Sequence, residues 1–278
     1  MAKLLTLWWA VFIFIGMKAD NPIGIFDSGV GGTSIWKEIH QLLPNEHTLY
    51  LADSKNAPYG NRSAEEISAL SVKNTEKLLE MGAKIIVVAC NTATTNAISL
   101  LRKNYDIPFI GIEPAIKPAA LQSKTGKIGI LATRGTLSSA LFSQTSDTFT
   151  KDISVVEVIG EGLVPLIENG DFDNPELDKL LQKYIKPMIA ANVDYLVLGC
   201  SHYPYLIPKL SKILPEHIKI IDSGIAVAKQ TKFLLEKHDL IRKEISTPKL
   251  QFYSNTGIGT LKYLLGEFDN IEIETMDF

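Results

Sequence analysis

The chain has 278 residues, 46% apolar and 21% charged, with 28 basic against 31 acidic side chains and a formal charge of −3. That is room for two soluble domains of ordinary size, and no run of like charge suggests a partner among nucleic acids or anionic lipids. The two cysteines exclude a disulfide-rich secreted scaffold, and the absence of any Cys-x-x-Cys or His/Cys cluster leaves no structural zinc site.

From the start of the chain, Leu4 to Met17 form an apolar run of 14 residues behind Lys3. The run is too short to span a bilayer comfortably, although it suits a signal-peptide core. No small-x-small cleavage site follows it, and Met17-Lys18-Ala19-Asp20 reads as an ordinary cytoplasmic start. Residues 1–21 are therefore expected to be an extension outside the fold, with membrane anchoring the lesser reading. Beyond it, short apolar runs alternate with amphipathic stretches, which signals a parallel α/β fold. Strands are predicted at Ile23–Phe26, Thr48–Leu51, Ile85–Ala89, Phe109–Ile112, Ile128–Leu131, Ser154–Val158, Tyr195–Leu198, Lys219–Ile221 and Leu250–Tyr253. Several are apolar on both faces, as strands covered by helices on both sides must be. A helix is predicted over Ala64–Met81, opened by a capping box of Ser63 and Glu66.

Two segments read as copies. Met81–Thr94 (MGAKIIVVACNTAT) and Ala191–Pro204 (ANVDYLVLGCSHYP) each enter a buried strand and leave it at a cysteine, at an offset of 110 residues that superposes Cys90 on Cys200. A fainter echo relates Ile23–Phe26 to Ile128–Leu131. The expected architecture is two similar doubly wound α/β domains with parallel sheets, related by a pseudo-twofold axis. Residues 22–114 with 223–278 would form the first and 115–222 the second. Ligands of open α/β sheets bind beyond the carboxyl ends of the strands, so a small ligand would lie in the cleft between the halves, between two thiols.

An isolated cysteine at a strand end is commonly a buried small hydrophobe. The only two cysteines falling at equivalent points of a repeat are poorly explained that way, and free thiols are preferred over a disulfide between them. Asn91-Thr92 after Cys90 open a helix whose free N–H groups suit a thiolate, and Asn91, Thr92 and Ser201 add donors for a carboxylate. The turn Asp27-Ser28-Gly29-Val30-Gly31-Gly32 departs from both the dinucleotide fingerprint and the P-loop. It is read instead as delivering Asp27 and Ser28 to the cleft, with glycines letting backbone approach a small anion; the plain alternative for Asp27 is a helix cap. Tyr59 and Gly60 lie in a Pro/Gly turn whose plain reading is an exposed tyrosine. His202, two residues beyond Cys200, suits acid/base work or thiolate stabilisation. Glu168, at the end of an amphipathic helix, would by itself be a solvated charge.

In this order, the motifs IGIFDSGVGG, APYGNR, VVACNTAT, GIEPAIKPA, VPLIENG and LGCSHYP resemble those of the glutamate racemases of the aspartate/glutamate racemase superfamily, from about Pro22 to near the C-terminus. The resemblance implies a cofactor-independent enzyme in which Cys90 and Cys200 exchange a proton with the α-carbon from opposite faces. It implies that Asp27 and His202 assist, that Glu168 supports them, and that Ser28, Tyr59, Gly60, Asn91, Thr92, Thr133, Thr136 and Ser201 hold the substrate. It also implies a cytoplasmic homodimer with no metal, supplying D-glutamate for peptidoglycan synthesis. Ser201 stands where threonine is usual and keeps the hydroxyl, while Gly160–Leu163 lack the cysteine-proline often found there. Rival readings are a racemase for another acidic amino acid such as aspartate, a non-catalytic amino-acid binding protein, and a cysteine hydrolase built on Cys200 and His202.

Overall fold

The structure is a computed structural model that describes residues 18–278. The apolar run Leu4–Met17, with its reading as extension or leader, lies outside the described residues. In chain order the elements are β1 (Ile23–Asp27), α1 (Thr33–Leu42), β2 (Thr48–Ala52), α2 (Ala64–Glu80), β3 (Ile85–Val88), α3 (Asn91–Asn104), β4 (Phe109–Gly111), α4 (Ile116–Gln122) and β5 (Lys127–Ala132). There follow α5 (Arg134–Leu137), α6 (Ala140–Phe149), β6 (Ser154–Ile159), α7 (Leu163–Glu168), α8 (Pro175–Ala190), β7 (Tyr195–Gly199), α9 (Ile207–Ile213) and β8 (Lys219–Ile221). The chain closes with α10 (Gly224–Lys237), β9 (Leu250–Ser254), α11 (Gly259–Leu265) and β10 (Ile271–Thr275).

The strands form two sheets, ordered β10-β9-β2-β1-β3-β4 and β6-β5-β7-β8, and every pairing is parallel. The first sheet thus contains the order 2-1-3-4, and the second repeats it strand for strand. The repeat seen in the sequence is this topology: β3 and β7 carry the two cysteine segments, while β1 and β5 carry the fainter echo. In each sheet the chain reverses direction of travel between the first strand and the third, β1 beside β3 and β5 beside β7. Those two pairs mark the topological switch points, where an open α/β sheet leaves a crevice.

The central strands β1, β2, β3 and β7 are buried at every position, which matches sequences that are apolar except for Asp27 at the end of β1 and Thr48 at the start of β2. The capping box forms as expected, with the Ser63 side chain accepting from Glu66 N and Glu66 returning to Ser63 N. One apolar cluster runs through both halves, joining Ile25, Trp36 and Phe252 to Leu131, Leu163, Leu198 and Tyr203. Packing of that continuity fixes the two sheets against each other by dispersion and apolar burial.

At the amino ends of β1, β2 and β3 sits a buried ion pair. Lys84 Nζ donates to Glu46 Oε2 and to Ala19 O, each at 2.5 Å, and both charged groups are shielded from solvent. Glu46 Oε1 accepts from Arg242 N at 2.8 Å, and Arg242 Nε donates to Asp20 Oδ1 at 2.7 Å. Asn21 Nδ2 donates to Gly82 O at 2.8 Å. Ala19, Asp20 and Asn21, which the sequence reading put in the extension, therefore contact the fold. Removing one partner of a buried pair strands the other without compensation. Lys84→Met is expected to destabilise the protein by about 3–5 kcal/mol in urea unfolding, with most of the loss recovered when Glu46→Leu is added.

Candidate active site

β1 ends at Asp27, which is 0% exposed. Asp27 Oδ2 accepts from Gly29 N at 3.1 Å and Oδ1 accepts from Ser201 Oγ at 3.0 Å, across the two halves. It is not a helix cap: α1 is preceded by Gly32 with no side-chain cap. Burial pushes the Asp27 carboxyl up, Glu168 adds to the effect and His202 opposes it.

Beyond β3, Cys90 is the residue that caps α3, its Sγ accepting from Ala93 N at 3.4 Å and lying 3.6 Å from Ser28 Oγ. The helix amide favours a thiolate as expected. Burial outweighs it, however, and with the nearby Asp27 charge pushes the Cys90 thiol well above its ordinary range. Cys90 therefore rests as a neutral thiol in this structure. Cys200 follows β7 but does not cap a helix. A turn carries the chain through Ser201 and His202 into a short 3₁₀ segment, Tyr203–Leu206, before α9. Both cysteines are buried and free.

The structure gives His202 and Glu168 surroundings that composition could not reveal. His202 Nδ1 lies 3.7 Å from Cys200 Sγ, and Nε2 lies 2.5 Å from Glu168 Oε1. Far from being solvated, the Glu168 side chain is 12% exposed. It accepts from Val30 N at 2.7 Å through Oε1 and from Ser54 Oγ at 2.7 Å through Oε2. Burial alone would lower the basicity of His202, but its hydrogen bonds to Cys200 and Glu168 and the Asp27 charge raise it well above the usual imidazole range. The imidazole is thus held protonated, with Nε2–H directed at Glu168.

The glycine-rich turn has its physical reason here. A Cβ on Gly29 would meet Glu168 Oε1 at 2.0 Å, and one on Gly31 would meet the His202 ring at 2.2 Å. The turn receives an anion on its backbone, as expected, but that anion is the protein's own carboxylate rather than a ligand.

Ser28, Tyr59, Gly60, Asn91, Thr92, Thr133, Ser201 and His202 line one cavity together with Cys90 and Cys200, closed by Pro58 and Val164. It encloses about 10 Å³, room for roughly one water. Asp27, Glu168 and Thr136 stand behind its wall. The hydroxyls of Thr92, Thr133 and Thr136 form a triangle with sides of 2.8, 3.0 and 3.3 Å, joining the start of α3 to the start of α5. Asn91 is buried with neither its amide oxygen nor its amide nitrogen hydrogen-bonded, the pattern of groups kept for a ligand. Tyr59 is buried, not exposed, because its hydroxyl donates to Asp53 beneath the cavity. Ser54 and Asp53 were not singled out as site residues. Nothing in their local sequence sets them apart from ordinary turn residues.

Two free thiols line one cavity, each at the switch point of its own α/β sheet, the crevice in which enzymes of such folds bind small molecules. Residues 23–231 match the family model described as Asp/Glu/Hydantoin racemase. A glutamate racemase of Ectopseudomonas mendocina is 45% identical over 261 residues, 92% of this chain and 99% of that protein. That of Herpetosiphon aurantiacus is 43% identical over 236 residues, covering 85% and 93%. The crystal structure of Escherichia coli glutamate racemase, in complex with L-glutamate and the activator UDP-MurNAc-ala, superposes with a TM-score of 0.82 at 32% identity, covering 92% of this chain and 98% of that one. The chain belongs to the Asp/Glu/hydantoin racemase family.

Because the His202 value is raised, its interactions contribute stability that is fully present below about pH 6.5, the ordinary imidazole value. That contribution is lost as pH climbs through the raised folded value. Glu168→Gln removes the neighbouring charge. In an NMR titration of the His202 ring, the midpoint is expected to fall back toward the ordinary imidazole range; an unmoved midpoint would show that Glu168 does not hold the proton.

Proposed function

We propose that this chain interconverts L- and D-glutamate by two-base proton transfer between Cys90, Cys200 and the substrate α-carbon, without a cofactor. The observation that carries the reading is that the only two thiols of the chain line the same buried cavity. The glutamate racemases named above support the substrate.

Racemisation removes the α-proton on one face and returns a proton on the other. A single base confined to one face would tend to give the proton back where it came from. Two monoprotic groups avoid this, one entering as thiolate and the other as thiol, so that after each turnover their protonation states have exchanged. Thiols suit the task because both forms are accessible near neutrality. On the second face, His202, held protonated 3.7 Å from Cys200 Sγ, is placed to pass a proton to that sulfur. On the first face, the neutral Cys90 is poised as the acid. For the reverse direction it must ionise, and the ammonium of the bound amino acid is a positive charge that would favour this. The unpartnered Asn91 amide, the Thr92–Thr133–Thr136 hydroxyls and the Ser28 and Ser201 hydroxyls are donors for the substrate carboxylates and for the charge that develops on them.

A cavity of about 10 Å³ does not admit glutamate. The reading therefore takes residues 22–114 with 223–278 as one unit and 115–222 as the other, separating to load substrate and closing to exclude water. A homodimer in the cytoplasm, supplying D-glutamate for peptidoglycan synthesis, belongs to the same proposal. Among the described residues no helix is long and apolar enough to cross a membrane.

The test is ¹H NMR of D- and L-glutamate in D₂O with wild type, Cys90→Ala and Cys200→Ala, no cofactor added. Wild type is expected to lose the α-proton signal and invert both enantiomers, while neither variant inverts either one. Exchange and inversion of aspartate but not glutamate would overturn the substrate alone. Binding without exchange for both amino acids would overturn the racemase reading in favour of a binding protein.

A further inference from the structure

One buried carboxylate has no part in the proton path. Asp53 follows β2 and is 2% exposed. Its Oδ2 accepts from the Tyr59 hydroxyl at 2.5 Å and lies 3.5 Å from Asn74 Nδ2. Its Oδ1 accepts from Asn56 Nδ2 at 2.8 Å and Asn255 Nδ2 at 2.5 Å. Asn74 Nδ2 also donates to the Tyr59 hydroxyl oxygen at 3.0 Å, so the phenol is held from both sides. Such convergence fills the acceptor sites of a carboxylate, which is what makes burying one tolerable.

The donors come from three separate parts of the first half: the turn after β2, helix α2 and the loop after β9. The backbone at Asp53 is pinned as well, its N–H donating to Asp27 O at 3.1 Å. What this hub holds is the wall of the cavity. Pro58, Tyr59 and Gly60 all line it, and a Cβ on Gly60 would stand 2.9 Å from the Thr133 side chain of the other half. The turn is therefore in van der Waals contact with a residue expected to hold substrate, and a shift of a few tenths of an ångström opens or crowds that contact. Burial, reinforced by the Asp53 charge, holds the Tyr59 hydroxyl in its protonated form, so it remains the donor in this link. A hub meant only to stabilise the fold would have no need to reach the cavity wall.

We propose that Asp53 is the positioning residue of the Pro58–Gly60 wall: acting through the Tyr59 hydroxyl, it sets how tightly the substrate is held rather than how fast its proton moves. The proposal rests on reading the cavity as the glutamate site.

Steady-state racemisation of D- and L-glutamate by wild type, Asp53→Asn, Tyr59→Phe and the double variant tests it, with thermal melts alongside. Each single substitution is expected to raise KM about fivefold or more while kcat falls by less than KM rises. The double variant is expected to be no worse than the poorer single one, because both substitutions cut the same link. A kcat loss that equals or exceeds the KM change overturns the proposal, as does a KM effect in the double variant equal to the product of the singles. A lowered melting temperature with an unchanged KM in the folded enzyme also overturns it, and leaves Asp53 a structural staple. Tyr59→Phe deletes one oxygen and leaves Asp53 its amide donors, so its KM-against-kcat split decides the matter if Asp53→Asn does not fold. Wild type inactive on glutamate would sink the substrate reading instead, and that is seen before any variant is compared.

Discussion

The contact between the Glu168 carboxylate and the strip of backbone at Gly29–Gly31 is the constraint on which the geometry of the site depends. Glu168 ends a helix of one half, and it takes the Val30 N–H and the Ser54 hydroxyl from the other. The same oxygen that meets Val30 N also meets His202 Nε2, so one carboxylate sets the position of the turn, the protonation of the imidazole and the spacing of the two halves. Charge-assisted hydrogen bonds of this kind are short and directional. They tolerate no side chain between the partners, which is why glycine stands at positions 29 and 31. The Thr260 hydroxyl donates to Glu168 O at 2.7 Å, so the start of α11 near the C-terminus also holds the residue in place.

The two sheets repeat one topology, yet the chemistry at their switch points is unequal. Cys90 caps a full helix and faces Asp27 and Ser28; Cys200 leads into a turn and faces an imidazole. The repeated topology supplies the cavity with two thiols in unlike surroundings. One thiol is kept neutral by burial and a nearby carboxylate, and the other sits beside a protonated partner. Such an arrangement gives two chemically identical groups different surroundings within one cavity.

Much of this was legible in the sequence because the signals are local. A strand buried on both faces must be apolar throughout, so β1, β2, β3, β5 and β7 could be read directly, and the paired cysteines stood out by their place in a repeat. Strand β10 was missed for the converse reason: Ile271–Thr275 lies at a sheet edge with both glutamates exposed, and its alternating pattern carries little weight against a polar surface. Glu168 could not be assigned from its own surroundings, since the groups that bury it, Val30, Ser54 and His202, come from far along the chain. Tyr59 is the same case, because its acceptor Asp53, itself held by Asn255 from the loop after β9, and the donor Asn74 from α2 turn what reads as an exposed turn residue into a buried one. Networks of this kind satisfy polar atoms across long sequence separations, and no periodicity records them.

Among the described residues, three side chains hold buried polar atoms without a hydrogen-bond partner, His40, Thr75 and Asn91, and of these Asn91 lines the cavity. An unpaired buried donor or acceptor costs about 1–3 kcal/mol, and Asn91 presents one of each at the start of the helix capped by Cys90. Everywhere else around the cavity the chain closes its hydrogen bonds with care, through the threonine triangle, Ser201 to Asp27 and Glu168 to Val30. On the proposed function, the partner that completes the orphaned amide is a group bearing both an acceptor and a donor, such as the carboxylate and ammonium of an amino acid. The cost of leaving Asn91 unpaired would then be offset on binding, and the proposed site would favour its substrate partly by being incomplete without it.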